Sequence, residues 1–390
     1  MKKKGVFMMK NIFYQLWPIA WVGGKEKAFV KMTKFLDHLE KLGVNYIWLS
    51  PVYSSRWEDH GYDVADYFSI DGRFGTEDQF HNFVKEAHRR GMKVLMDIVI
   101  NHVSIDSELF DPEYCIFRDE PKEGWHNLFD GGPAWTYSPK YGKYYCHLFS
   151  EEQADLAWFN EENEINMSLV SHFQKICDYY MLNYGVDGFR VDAPQAINKD
   201  LQSEVFDFSQ CLGDGSKNDK SVQILNAVFG GIDSEMLITE IFDPDNSLSE
   251  KYVENSPVYL TMNLMVRDLT LSDIEQFRSP ETAIHYLESH DTNRVLSRFE
   301  ISIEKELELL LKDVSNICIY QGQEFGVKNP AMDIKEFCKL DAEFRMKYHS
   351  GENASILAPN ARANNRVKID TYMMPENLKS AFMKALKDWK

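Results

Sequence analysis

Short apolar runs alternate with stretches of helical periodicity along the whole chain, eight pairs in all, and this alternation predicts an α/β fold, the TIM (β/α)8 barrel. Residues 93–100 (KVLMDIVI) support it, because a run this apolar suits a parallel strand covered on both faces. Residues 101–164 break the rhythm. They are too long for a βα loop and rich in Trp, Tyr, Phe, Gly and Pro, which predicts a small inserted domain between the third strand and its helix. The expected layout is a barrel of residues 1–100 and 165–390, interrupted by an insertion at 101–164.

The elements follow in order. Residues 12–18 (IFYQLWP) read as the first strand, and 28–42 as a helix that stops at Gly43. The second strand is 45–51 (NYIWLSP). Its helix, 77–90, has Thr76 as N-cap, Glu77 and Asp78 in an acidic first turn, and Gly91 as its stop. After the third strand and the insertion come a helix at 167–183 and the fourth strand at 188–193 (GFRVDA). Strands five to eight are placed at 236–242, 258–264, 283–289 and 317–322, with helical stretches between them, notably 304–314. A second long excursion covers 327–372, with a helical piece near 333–345, and 376–389 reads as the closing helix.

Composition excludes several classes. With 390 residues, 44% of them apolar and 13% aromatic, the chain can bury a large core, so disorder is excluded. Lysine and arginine total 43 against 61 acidic residues, a formal net charge of −18, which repels phosphate backbones; no nucleic-acid partner is expected. No apolar run reaches the roughly 18 residues a membrane span needs, and the first ten residues lack a secretory pattern. Six cysteines (Cys115, Cys146, Cys177, Cys211, Cys318, Cys338) lack CxxC spacing, so free thiols in a reducing cytoplasm are expected.

In a barrel of this kind the site lies where strands end. The third strand runs into Asp97, Asn101 and His102, and the fourth ends in Arg190 and Asp192. The fifth ends in Glu240, and the seventh in His290 and Asp291 with Arg294 beyond. A single acid after a strand is commonly a helix cap, Arg190 and Asp192 could form a structural ion pair, and the histidines could be core residues. The convergence is what argues for chemistry, since several charges at one rim do little for stability alone and shift one another's pKa values. Trp48, Trp57, Trp125, Trp135, Tyr137, Tyr144, Tyr145, Phe149 and Trp158 crowd the rim and the insertion. Aromatic faces suit sugar rings, although core packing of the insertion accounts for most of them.

The set DIVINH (97–102), GFRVD (188–192), Glu240 after LIT, and SHD (289–291) resembles the four signature regions of the α-amylase family of retaining α-glycosidases. The stretches 61–76, 132–160, 319–326 and 328–337, with NAR at 360–362, look like its oligo-1,6-glucosidase and α-glucosidase branch. The resemblance implies that Asp192 is the nucleophile, Glu240 the general acid/base and Asp291 the third, transition-state-stabilising carboxylate. It implies that His102 and His290 bond the glucosyl unit, and that Tyr62 and Asp63 supply an aromatic platform and a carboxylate for the same sugar. Arg190 would keep Asp192 ionised, and Arg294 would pair with the sugar-binding carboxylates.

The implied activity is retaining hydrolysis of short α-linked gluco-oligosaccharides of the maltose or isomaltose type, with an α-linked gluco-oligosaccharide as the partner and no cofactor. Glu240 is expected to have a raised pKa and to start protonated. A transglycosylase or isomerase of the trehalose-synthase or glucanotransferase type shares the intermediate, and a non-catalytic sugar-binding scaffold is the reading from another class. Three departures from the resemblance stand out. The sequence stops at Lys390 without the C-terminal β-sandwich domain of relatives, which is either absent or cut off; the face it would cover leads us to expect a homo-oligomer. No metal is expected: 193–196 (APQA) lacks the usual lysine–histidine pair, 19–24 (IAWVGG) has no acid, and Asn101 with Asp155 make too few oxygen ligands for calcium. Finally, Ala193 beside the nucleophile leaves the linkage open.

Overall fold

A computed structural model of the chain describes residues 10–128, 131–206, 219–243, 247–329 and 376–390. Seven parallel strands form one sheet: first Asn11–Leu16, second Tyr46–Leu49, third Lys93–Val99, fourth Gly188–Asp192, fifth Met236–Ile241, sixth Leu260–Asn263 and eighth Asn316–Tyr320. Their order across the sheet is sixth, fifth, fourth, third, second, first, eighth. The seventh position is taken by an irregular ribbon expected as a strand at 283–289. Single parallel bridges join it on both sides, Thr261 to Ala283 and His285 to Ile317. Hydrogen bonds from Ile284 N to Thr261 O and from Cys318 N to His285 O, both 2.8 Å, complete the ring. The fold is the (β/α)8 barrel that the alternation predicts.

Helices pack outside. Ala28–Leu42 buries Phe29, Met32, Leu36 and Leu39 at helical spacing and stops at Gly43, whose φ of +77° places it in the left-handed region. Glu77–Arg89 starts in a capping box: Thr76 accepts from Gln79 N, and the Gln79 side chain accepts from Thr76 N. Met167–Tyr184 is capped by Asn166 and ended by Gly185. Ile303–Leu311 is shorter at its C-terminal end than expected, and the chain turns instead at Asp313 with φ +55°. The last helix, Glu376–Trp389, buries Phe382 and Leu386 completely or nearly so. The excursion expected at 327–372, with its helical piece and the resembling stretches 328–337 and 360–362, falls almost wholly outside the described residues, as do Cys211 and Cys338.

Between the third strand and helix Met167–Tyr184 the chain builds small sheets. His102–Ser104 pairs with Gln153–Asp155, and Lys143–Cys146 lies between Phe117–Arg118 and Trp135–Ser138, all antiparallel. Ile116, Trp125, Trp135, Cys146, Leu148 and Phe206 make a separate apolar cluster there. Trp125 and Trp135 therefore serve packing, whereas Tyr137 is half exposed.

The barrel interior explains where the charges go. Side chains alternate along a strand, so every second residue points inward. Phe13, Trp48, Leu95, Met236, Ile238, Met262 and Tyr286 fill the N-terminal part as one cluster. Two residues further along the same inward face stand Gln15 after Phe13, Asp97 after Leu95, and Glu240 after Ile238. On the fourth strand that face carries Gly188, Arg190 and Asp192. A Cβ at Gly188 would lie 1.8 Å from Met236 O, so no larger residue fits at the base of this strand.

Candidate active site

Arg190 is the hub. Its side chain is 1% exposed and its guanidinium meets three carboxylates. Nη1 donates to Asp192 Oδ1 at 2.6 Å and to Asp97 Oδ1 at 3.0 Å, while Nη2 donates to Glu240 Oε2. Burial opposes its charge, but the surrounding anions Asp97, Glu240 and Asp192 outweigh that and hold it protonated. The guanidinium also lies over the Trp48 ring, 4.9 Å from its centroid.

Glu240 is the residue that cannot easily ionise. Burial pushes its pKa up to about 8; Arg190 works against this, and the Asp192 and Asp291 charges add to it. Its second oxygen accepts from Ala193 N at 2.9 Å, a contact made by the turn after the fourth strand, where Ala193 has φ +41°. Asp97, fully buried, accepts from Trp48 Nε1 at 3.0 Å and Tyr62 OH at 2.9 Å. Burial lifts its pKa to about 7 despite Arg190. Two groups near one guanidinium are thus poised to hold protons close to neutral pH.

The fourth acid arrives from the far side. Asp291 Oδ2 lies 3.2 Å from His290 Nε2, which is also 2.9 Å from Tyr62 OH. His102 packs against Phe149 with ring centroids 5.1 Å apart, and burial lowers its pKa to about 4, so it is neutral. Its Nε2 is buried at the pocket wall. These groups surround one pocket, about 680 Å³ when the open solvent at its mouth is included. Asp59, Tyr62, His102, Phe149, Asp192, Ala193, Gln195, Glu240, Phe242 and Asp291 are among its lining residues.

The structure therefore brings Tyr62, His102, Asp192, Glu240 and Asp291 to one pocket, with Arg190 and His290 directly behind them. It sends two expected residues elsewhere. Asp63 turns back into its own loop, where Oδ2 accepts from Arg56 N at 3.1 Å and Glu58 N at 3.2 Å, and Oδ1 accepts from Asp59 N at 3.1 Å. A carboxylate within a few residues of free amides satisfies them first. Burial raises its pKa to about 6, the amide bonds pulling the other way. The carboxylate this loop gives the pocket is Asp59, which the sequence reading passed over although it flanks the same Gly61-Tyr62 pair. Arg294 pairs with Glu288 Oε1 at 2.7 Å and lies over the Tyr320 ring, rather than beside sugar-facing acids.

Asn101 and Asp155, weighed as remnants of a calcium site, hold an internal cation instead. Lys199 Nζ donates to Asn101 Oδ1 at 2.8 Å and stands 3.3 Å from Asp155 Oδ2, all three buried. Among the described residues no group of three or more His, Cys, Asp or Glu side chains is arranged to hold a metal ion. No described helix is long and apolar enough to cross a membrane.

Comparison with known proteins adds ancestry to this geometry. A family model described as "Alpha amylase, catalytic domain" matches residues 31–284. The chain is 27% identical over 398 residues to the oligo-1,6-glucosidase of Heyndrickxia coagulans, covering 87% of this chain and 70% of that one. It is 28% identical over 422 residues to the trehalose-6-phosphate hydrolase of Bacillus subtilis (strain 168), covering 92% and 73%. The crystal structure of Bacillus licheniformis trehalose-6-phosphate hydrolase matches with a TM-score of 0.78 at 22% identity, over 99% of this chain and 84% of that chain. With a catalytic-domain match over most of its length and a barrel of the same shape, this chain belongs to the α-amylase family of glycoside hydrolases.

Proposed function

We propose that the protein is a retaining α-glucosidase of the cytoplasm that hydrolyses short, uncharged α-linked gluco-oligosaccharides. One observation carries the reading: Asp192 and Glu240 share the Arg190 guanidinium, yet Glu240 is pushed up to about 8. A cation-paired nucleophile beside a protonated acid is what two-step displacement at a glycosidic carbon needs. An oxygen of Asp192 attacks the anomeric carbon while the carbon–oxygen bond to the leaving sugar breaks and Glu240 gives its proton to that oxygen. In the second step water attacks the same carbon, its proton passes to Glu240, and the ester bond to Asp192 breaks. Asp291 stabilises the oxocarbenium-like transition state, Tyr62 gives the sugar an aromatic platform, and His102 bonds the glucosyl unit.

Residues 101–164, read as an inserted domain, contribute His102 and Phe149 and so restrict the pocket to short substrates. Besides the protonated Glu240, three lining carboxylates, Asp59, Asp192 and Asp291, would repel a phosphorylated sugar, which favours neutral glucosides over the substrate in the name of the Bacillus subtilis relative. Four described cysteines, Cys115, Cys146, Cys177 and Cys318, are free and buried, which suits a reducing compartment. The test compares wild type with Asp192→Asn on p-nitrophenyl α-glucoside, maltose, isomaltose, sucrose and trehalose 6-phosphate, with the product anomer read by NMR. The expected result is α-glucose released from neutral substrates by the wild type alone. Equal rates in both proteins would remove Asp192 as nucleophile, β-glucose would remove retention, and disaccharide products from maltose would make the enzyme a transglycosylase.

A further inference from the structure

Gln15 is fully buried near the C-terminal end of the first strand, opposite Tyr320 of the eighth. Its amide nitrogen reaches Ser50 Oγ at 3.2 Å and His290 Nδ1 at 2.8 Å. The His290 ring is packed by aromatic neighbours: Trp17 stacks on it at 5.0 Å between centroids, Trp48 meets it edge-on at 5.7 Å, and Tyr62 lies at 5.5 Å with its plane tilted by 12°. The ring has little freedom to turn, so its two nitrogens keep fixed neighbours.

Those neighbours locate the proton. With its nitrogen turned to the ring, the Gln15 amide donates to Nδ1, which then carries no hydrogen. Nε2 faces the Asp291 carboxylate oxygen Oδ2, an acceptor, and the Tyr62 oxygen. Nε2 must therefore donate. We propose that Gln15 is a positioning residue whose amide holds His290 as the neutral imidazole with its proton on Nε2, aimed at Asp291 in the pocket. The charges around the ring compete. Asp291, and Asp97 through Tyr62 and Trp48, favour an imidazolium; Arg190, over the faces of Trp48 and Tyr62, opposes it, and the Gln15 dipole adds to that opposition. A neutral ring leaves Asp291 its full negative charge for the substrate, whereas an imidazolium would bind that charge in an ion pair.

The inference rests on the α-glucosidase reading only for its activity measurement. The full chain is labelled with 15N-histidine, and His290 is assigned by the signal lost in His290→Asn. The expected wild-type ring is neutral, protonated on Nε2, and unchanged between about pH 6 and pH 8. Gln15→Glu, which sets an acceptor against Nδ1, should turn it into an imidazolium over that range and lower kcat roughly ten- to hundredfold, with a smaller change in KM. A wild-type ring protonated on Nδ1 or on both nitrogens overturns the proposal, and so does a Gln15→Glu ring that stays neutral. Should Gln15→Glu not fold, the wild-type spectrum decides alone. The expected spectrum in a protein that cleaves no α-glucoside would uphold the proton's position and remove the proposed activity.

Discussion

Glu240 shows how one residue's surroundings become a rate law. Its folded pKa of about 8 means that the proton needed by the leaving group is present below that pH and lost above it. The kcat/KM profile should fall on its basic side as pH rises through about 8. Glu240→Gln should abolish that limb and cost roughly 10²- to 10⁴-fold in rate with unactivated disaccharides. A basic limb that survives in Glu240→Gln would place the acid elsewhere. Lys199 makes a different kind of prediction. Removing its ammonium in Lys199→Met leaves the Asp155 carboxylate, 0% exposed, without its cation. Breaking a buried pair in this way costs about 3–5 kcal/mol, measurable by urea unfolding. A loss below about 1 kcal/mol would mean that the amide of Leu148 and the Cys146 thiol, which also approach Asp155, suffice.

Single elements carry predictions of their own. The helix Glu77–Arg89 starts at the reciprocal Thr76–Gln79 pair, and Thr76→Ala should cost about 1 kcal/mol, seen as a lower Tm with unchanged activity. The helix Ile303–Leu311 holds Glu306 inside the fold, where it accepts from Gln323 Nε2 at 3.0 Å. Burial raises its pKa from 4.5 to about 8, with the Glu288 charge adding to the effect. The folded state therefore favours the neutral acid. The stability linked to that proton is fully present below about pH 4.5 and is lost as pH rises through about 8. Glu306→Gln stays neutral throughout, so its Tm should match wild type in acid and exceed it at about pH 9. A variant less stable than wild type at both ends would contradict this.

At the scale of the whole molecule the barrel is closed by parts far apart in sequence. The first strand pairs with the eighth from Asn11 with Asn316 to Gln15 with Tyr320, and the last helix tucks Phe382 and Leu386 against the outside. Lys390 Nζ donates to Gly43 O and Trp389 Nε1 to Leu311 O, tying that helix to both ends of the chain's barrel. Phe382→Ala should cost roughly 3–5 kcal/mol and lower the yield of folded protein. An unchanged unfolding midpoint would show that the closing helix adds little.

The alternation of strands and helices, their boundaries within a few residues, and the acids at the strand ends were legible because they rest on local periodicity and capping. Thr76, Gly43 and Gly91 mark helix ends by chemistry that acts over three or four residues. The inward parity of Arg190 and Asp192 follows from their spacing alone. What the tertiary structure decided is which of several chemically equal groups faces the pocket. Asp59 and Asp63 flank the same glycine and tyrosine, and only the folded loop shows Asp63 spending its oxygens on three backbone amides while Asp59 lines the cavity. Arg294 meets Glu288, and Lys199 meets Asn101 and Asp155, across separations that no local pattern encodes. Hydrogen bonding is short-ranged, so the choice of partner is made only when packing has fixed the distances.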